Sequence, residues 1–156
     1  MGLRSAGHAL RAPGQLRPMT NTALAFLGYV GWMLILTLAI AGQRSFLTLS
    51  GQRAANSFDP SGSDVSPFAG RLCRTHANGY EHFPIIGGLL LFALATGQTA
   101  VTDPLALTML AARILQGSVH LASTSVVAVF ARFGFFVVQV AIAAYWTWTF
   151  LTRAAA

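Results

Sequence analysis

Two runs of polar side chains stand inside otherwise apolar sequence, and their spacing could gather a charged ligand. The first is Arg71-Leu-Cys73-Arg74-Thr-His76-Ala-Asn78-Gly-Tyr-Glu81-His82-Phe-Pro84. At about 100° per residue, Arg71, Arg74, Asn78 and Glu81 fall within a helical arc of about 80°, and His76 points nearly the other way. The second is Arg113, Gln116 and His120, spaced i, i+3 and i+7 on a face about 60° wide. Guanidiniums bind carboxylates through a planar fork. A carboxylate such as Glu81 can hold an ammonium, and Asn78 can bond an amide in either sense. Together the two stripes could line a polar pocket for an anionic or zwitterionic ligand.

Each residue also has a plainer structural reading. Arg71 and Arg74 could anchor a helix at the membrane edge. Asn78 could bond between helices, and His120 could be a satisfied core histidine. His76 and His82 read as interfacial, and scattered over different faces the histidines make a poor metal site. Cys73 is the single cysteine, which rules out an internal disulfide. Arg113 lies deep in an apolar run, where a charge costs at least ~2.5–3.5 kcal/mol at the bilayer centre. It therefore needs a partner. Glu81 is the one acidic residue in any apolar stretch, so a Glu81–Arg113 pair within ion-pair or one-water reach is expected, for binding or for fixing helix register.

The elements that must carry these groups are membrane helices. Apolar residues make up 54% of the 156-residue chain and charged residues 9%, against about 25% charged in soluble domains. So few charges cannot coat a globule. A spanning helix needs about 20 mostly apolar residues, and four stretches come close: Thr22–Ala41, Phe83–Val101, Leu105–Val126 and Phe133–Leu151. They are not alternating, which excludes a barrel. The expectation is an all-α, four-transmembrane-helix bundle over 22–153, with spans at about 22–41, 72–100, 105–128 and 133–151.

The net charge of +6 comes entirely from arginine. Positive-inside topology and buried guanidinium roles account for it better than nucleic acid does. Residues 1–21 form a basic tail with Arg4, Arg11 and Arg17. It reads as a transit-like leader, a disordered tail, or an extension upstream of a start at Met19. Without it, arginine bias makes the loop Gln43–Gly70 cytoplasmic; with it, the rule is nearly silent. The loop tip Asn56–Pro67 reads as flexible. Gly97–Pro104 reads as a turn, with Asp103 capping the third helix and Pro104 in its first turn. Pro84 should kink the second. Tyr145, Trp146 and Trp148, followed by Arg153, mark a membrane–water boundary.

The pattern Arg71-x-x-Arg74-x-His76-x-Asn78-x-x-Glu81-x-x-Pro84 resembles the signature of the MAPEG family, the membrane-associated proteins of eicosanoid and glutathione metabolism. Gly42-Gln43-Arg44, the run Ala112-Arg113-Ile-Leu-Gln116-Gly-Ser-Val-His120, and Arg132 at the opening of the fourth span extend the likeness over about Leu24 to Leu151. The resemblance implies a four-helix protomer in a homotrimer, with glutathione as cofactor between subunits near the cytosolic face. Arg44, Arg74, Asn78, Glu81, Arg113, Gln116 and His120 would bind it. Arg132 would be catalytic, favouring the thiolate as a nearby cation does.

There are departures. The family often has histidine where Gln116 stands and tyrosine where His120 stands. After Arg132 it offers serine or tyrosine, where this chain has Phe133-Gly134-Phe135-Phe136. The connection before Arg132 is about three residues longer than the family's. The leading function that the resemblance implies is glutathione-dependent conjugation or peroxide reduction on a lipophilic electrophile arriving from the bilayer, and the departures leave a pocket that merely binds almost as compatible. Two alternatives stay open: a non-catalytic lipid-binding or scaffold protein of the same fold, and a small proton-coupled transporter using Glu81.

Overall fold

Thr20 opens the first helix, its hydroxyl accepting from the Ala23 N–H at 3.1 Å, as a side-chain cap does for an orphaned first-turn donor. The computed structural model describes residues 18–154; residues 1–17 of the expected tail, with Arg4, Arg11 and Arg17, lie outside them, and its last residue, Asn21, belongs to the first helix. Four helices follow in order: α1 (Asn21–Leu49), α2 (Pro67–Ala95), α3 (Thr99–Ala122) and α4 (Val126–Ala154). Ser66 caps α2, with Pro67 in the first turn where its missing N–H costs nothing.

Helices α1 and α2 both stop at a glycine. Gly51 and Gly97 take φ of 71° and 68°. In each turn the following residue donates back five positions, Gln52 N to Leu47 O at 3.0 Å and Gln98 N to Ala93 O at 2.8 Å. This is the left-handed helix stop that glycine alone enters without strain.

Helices α1, α3 and α4 are long and apolar enough to cross a membrane. Helix α2 has 29 residues, and its polar first half lowers its hydropathy. A 29-residue helix is about 44 Å long, against a hydrocarbon core of about 30 Å, so its ends reach past the apolar layer. The turns Thr96–Gln98 and Ser123–Ser125 are three residues each, so α2, α3 and α4 run antiparallel in succession. Helix α3 packs on the other three, while α1 packs closely on α2 and α3.

Several expected boundaries are corrected. The turn is Thr96–Gln98 rather than Gly97–Pro104, and α3 begins at Thr99. Asp103 does not cap its own helix. Its carboxylate accepts from Thr22 N at 2.8 Å and Thr22 Oγ1 at 2.6 Å, and so caps α1 from across the bundle. The third span ends at Ala122, and α4 starts at Val126, so Arg132 lies in its second turn and does not open it. Pro84 stands inside α2, which runs on to Ala95.

The loop tip, expected to be flexible, makes several side-chain contacts. Arg53 pairs with Asp64, Arg44 Nη2 donates to Asp59 O at 2.9 Å, and both guanidiniums lie about 5.5 Å from the Phe58 ring.

The bundle has two unlike halves. One is an apolar core of Ala25, Tyr29, Ile86, Leu90, Ala93, Ala106, Met109, Ile142 and Trp146. The other, toward the α1–α2 loop, carries the polar side chains.

Candidate functional site

Antiparallel order explains why distant polar residues meet. Arg71–Glu81 occupies the first half of α2, Arg113–His120 the second half of α3, and Arg132 the first half of α4. Three antiparallel neighbours therefore deliver these segments to one end of the bundle.

Arg113 is 2% exposed and sits at the centre of a carboxamide network. Its Nη2 donates to Asn78 Oδ1 at 2.9 Å, and its Nη1 donates to Gln116 Oε1 at 3.1 Å and reaches Gln139 Oε1 at 3.5 Å. The Tyr29 ring lies 5.6 Å from the guanidinium carbon and adds a negative π face. Gln139 Nε2 donates to Gln116 Oε1 and to Phe135 O, each at 3.0 Å. Gln116 Nε2 donates to Arg132 O at 3.4 Å, which joins the network to the backbone of α4.

The expected Glu81–Arg113 ion pair is not formed. Among the described residues the single salt bridge is Arg53–Asp64. Asn78, one helical turn before Glu81, takes the guanidinium, and Glu81 stays exposed. Arg113 keeps its charge and is solvated by oriented carboxamide dipoles in place of a carboxylate.

Two cavities open beside this network. The larger, about 770 Å³, lies under the loop and is lined by Ser61, Ser63, Arg71, Cys73, Arg74, Asn78, Glu81 and His120. The smaller, about 350 Å³, lies between α2, α3 and α4 and is lined by Arg74, Asn78, Gln116, His120, Arg132, Phe133 and Phe136. Both volumes fall in the range of small-molecule sites, about 300–1,000 Å³. Arg74, Asn78 and His120 line both cavities and form their common boundary.

Of the expected site residues, Arg74, Asn78, Glu81, Gln116, His120 and Arg132 line one or both cavities. Arg113 lies behind the wall and holds Asn78 and Gln116 in place. Arg44 lines neither, being occupied by Asp59 and Phe58. Arg71 does more than anchor a helix edge, since its Nε donates to Leu121 O at 2.9 Å and satisfies a last-turn carbonyl of α3. His76 Nε2 lies 3.1 Å from Thr37 Oγ1, tying α2 to α1. His82 stacks edge-on against Phe136, ring centroids 5.6 Å apart.

Gln139 escaped the sequence reading. A lone carboxamide in an apolar run, seven residues after Arg132 and hence on the same helix face, was the signal that could have found it.

A model of the MAPEG family matches residues 22–152, a range that includes both polar runs and Arg132. No curated protein and no solved structure matches the chain.

Proposed function

The chain belongs to the MAPEG family of membrane proteins, and from that premise we propose that it binds glutathione in the larger cavity and presents the thiol to a lipophilic electrophile in the smaller one. The carrying observation is that the two cavities meet at Arg74, Asn78 and His120. The larger offers two guanidiniums, a carboxamide and one carboxylate, which complement a tripeptide bearing two carboxylates and one ammonium. The smaller combines Arg132 with Val129, Phe133 and Phe136. A cation beside apolar walls suits a thiolate attacking a lipophilic molecule, because a nearby positive charge enlarges the ionised fraction of a thiol.

The reaction is conjugation, or reduction of a lipid peroxide, in which the thiolate attacks the peroxide oxygen, the O–O bond breaks to release the alcohol, and a second glutathione takes the oxidised sulfur to the disulfide with loss of water. In conjugation the thiolate pair attacks the electrophilic carbon and forms a C–S bond, and the leaving group departs with its electrons. Arg71, Arg74 and Glu81 fix the tripeptide, and Arg132 stabilises the charge on sulfur. Arg74 and Glu81 are exposed on α2, and Tyr80 beside them is 69% exposed. Charged groups facing hydrocarbon are costly, so neighbouring copies of the chain, in a homotrimer, would cover this face and complete the site.

Phe133 and Phe136 also favour a second reading, since the wall beside Arg132 offers aromatic rings in place of hydroxyls. In that reading the protein binds glutathione or lipid without turnover.

Calorimetric titration of the detergent-solubilised protein with glutathione tests the binding. Saturable binding is expected in the wild type, with about tenfold weakening in Glu81→Gln through loss of a charge-assisted contact. Absence of binding in the wild type would refute the proposal. Tight binding with no product from a generic electrophile would establish the non-catalytic reading.

A further inference from the structure

His82 carries a basic nitrogen that the mechanism above leaves unused. Its ring lines the smaller cavity one turn along α2 from Asn78, where the two cavities meet. Nδ1 lies 2.8 Å from the Asn78 carbonyl oxygen. A carbonyl only accepts, so Nδ1 carries the proton and the neutral ring keeps its lone pair on Nε2. Phe136 stands edge-on to the ring, centroids 5.6 Å apart, and fixes its plane. Among the described residues Nε2 is neither bonded nor buried. The other polar side chains of that cavity cannot serve as a base. Gln116 Oε1 takes Arg113 and Gln139, Asn78 Oδ1 takes Arg113, and the Thr75 hydroxyl donates to the Arg71 carbonyl. Both His120 nitrogens are closed off. Arg74, Arg132 and the Asn78 amide nitrogen are donors.

We propose that the smaller cavity takes an apolar hydroperoxide and that His82 is the catalytic residue that relays its proton, Nε2 receiving it from the terminal oxygen and delivering it to the inner one. The inference rests on the glutathione reading given above and decides between its two reactions. A halide or similar leaving group departs as a stable anion, whereas the alkoxide left by O–O cleavage needs a proton as it departs. A fixed lone pair serves only the second case. Val129, Phe133 and Phe136 supply apolar walls for the organic part. In the step, the thiolate pair attacks the terminal oxygen and forms an S–O bond. The O–O bond breaks with its electrons on the inner oxygen, which leaves as the alcohol with the proton carried by Nε2. Sulfur is oxidised to the sulfenate, the peroxide is reduced, and His82 ends as it began. A second glutathione and one proton from water then convert the sulfenate to disulfide and water.

The full chain in detergent is assayed with cumene hydroperoxide and, in parallel, with chlorodinitrobenzene, while calorimetry follows glutathione affinity. His82→Phe keeps a ring against Phe136 but has no nitrogen. His82→Gln keeps an acceptor but cannot relay a proton. Both variants should lose about a hundredfold in kcat for the hydroperoxide, with the aryl halide rate and glutathione affinity within about threefold of wild type. A glutamine variant at the wild-type rate would overturn the relay. Equal losses on the two substrates would overturn a role tied to the peroxide. A wild type that binds glutathione yet reduces no hydroperoxide removes this inference alone; a wild type that binds none sinks the underlying reading as well.

Discussion

Arg113 Nη2 stands 2.9 Å from Asn78 Oδ1, so a carboxamide, not a carboxylate, holds the cation buried between α2 and α3. This leaves Glu81 free of a structural ion pair and exposed at the larger cavity. An anion paired with Arg113 would offer less of its charge and fewer acceptor sites to a ligand's ammonium. The network therefore separates the task of burying a cation from the task of binding.

Removing Asn78 should expose that division. Asn78→Ala deletes a hydrogen bond to a charged, 2% exposed partner, a loss of about 1.5–3 kcal/mol. Glu81→Gln should change stability by less than about 1 kcal/mol, as for an exposed charge, while weakening glutathione binding. Unfolding in mixed micelles, compared with ligand titration of the same variants, checks both.

Gln139 should behave as a structural residue of the same network. Gln139→Leu is close in volume but leaves the Gln116 and Arg113 contacts short of a partner. A loss of about 1–3 kcal/mol is expected, with glutathione affinity within about twofold of wild type because Gln139 lines neither cavity. Affinity falling as steeply as stability would place it in the site.

Much of this site was legible because helical spacing is rigid. Steps of i, i+4 and i+7 put Arg74, Asn78 and Glu81 on one stripe, a step of i+4 puts Gln116 with His120 on another, and both stripes reach the cavities. Spacing cannot choose partners across helices. Glu81 and Asn78 are one turn apart, and only the register of α2 against α3 decides which of them meets Arg113. Helix ends were misplaced for a related reason. Asp103-Pro104 is a good local start signal, yet the Asp103 side chain serves α1, a tertiary contact that outweighs a local preference. Hydropathy marked Phe133 as the start of the fourth helix, whereas the chain turns at Ser123–Ser125 and enters α4 earlier.

Asp103 should contribute to stability but not to binding. It accepts from the backbone N–H and the hydroxyl of Thr22 at the positive end of α1. It lies 17 residues before His120 on the same helix, about 26 Å away. Asp103→Ala should cost about 1–2 kcal/mol, the range of lost helix caps, and leave glutathione affinity unchanged. Weakened binding at intact stability would contradict the separation of the two ends.

The loop over the larger cavity should loosen in acid. Hydrogen bonds from the Ser61 hydroxyl and backbone N–H hold the Asp59 carboxyl below its ordinary range. A lowered carboxyl stabilises the folded loop above its unfolded value, near 3.9, and that contribution is lost as pH falls through the folded-state value. Amide exchange in residues 53–66, corrected for intrinsic rates, should therefore quicken below about pH 4 and be level from pH 5 to 7. Equal protection at both ends would show that these contacts do not order the loop.

Arg132 should act through charge, and pH can separate that from shape. Its backbone is fixed by the Gln116 bond to its carbonyl, and its side chain lines the smaller cavity beside Phe133 and Phe136. A guanidinium there lowers the pKa of a bound thiol, so Arg132→Met raises it and leaves less thiolate at any pH below the new value. The kcat/KM for a generic electrophile should fall about tenfold near neutrality, for a shift of about one unit. The deficit should shrink as pH rises, because above the variant's thiol pKa both proteins carry the sulfur ionised. Arg132→Lys keeps the charge on a different frame and should recover most of the loss at neutral pH. A deficit independent of pH, shared by the lysine variant, would mean that the planar fork positions the ligand and that the thiolate owes its stability to other groups.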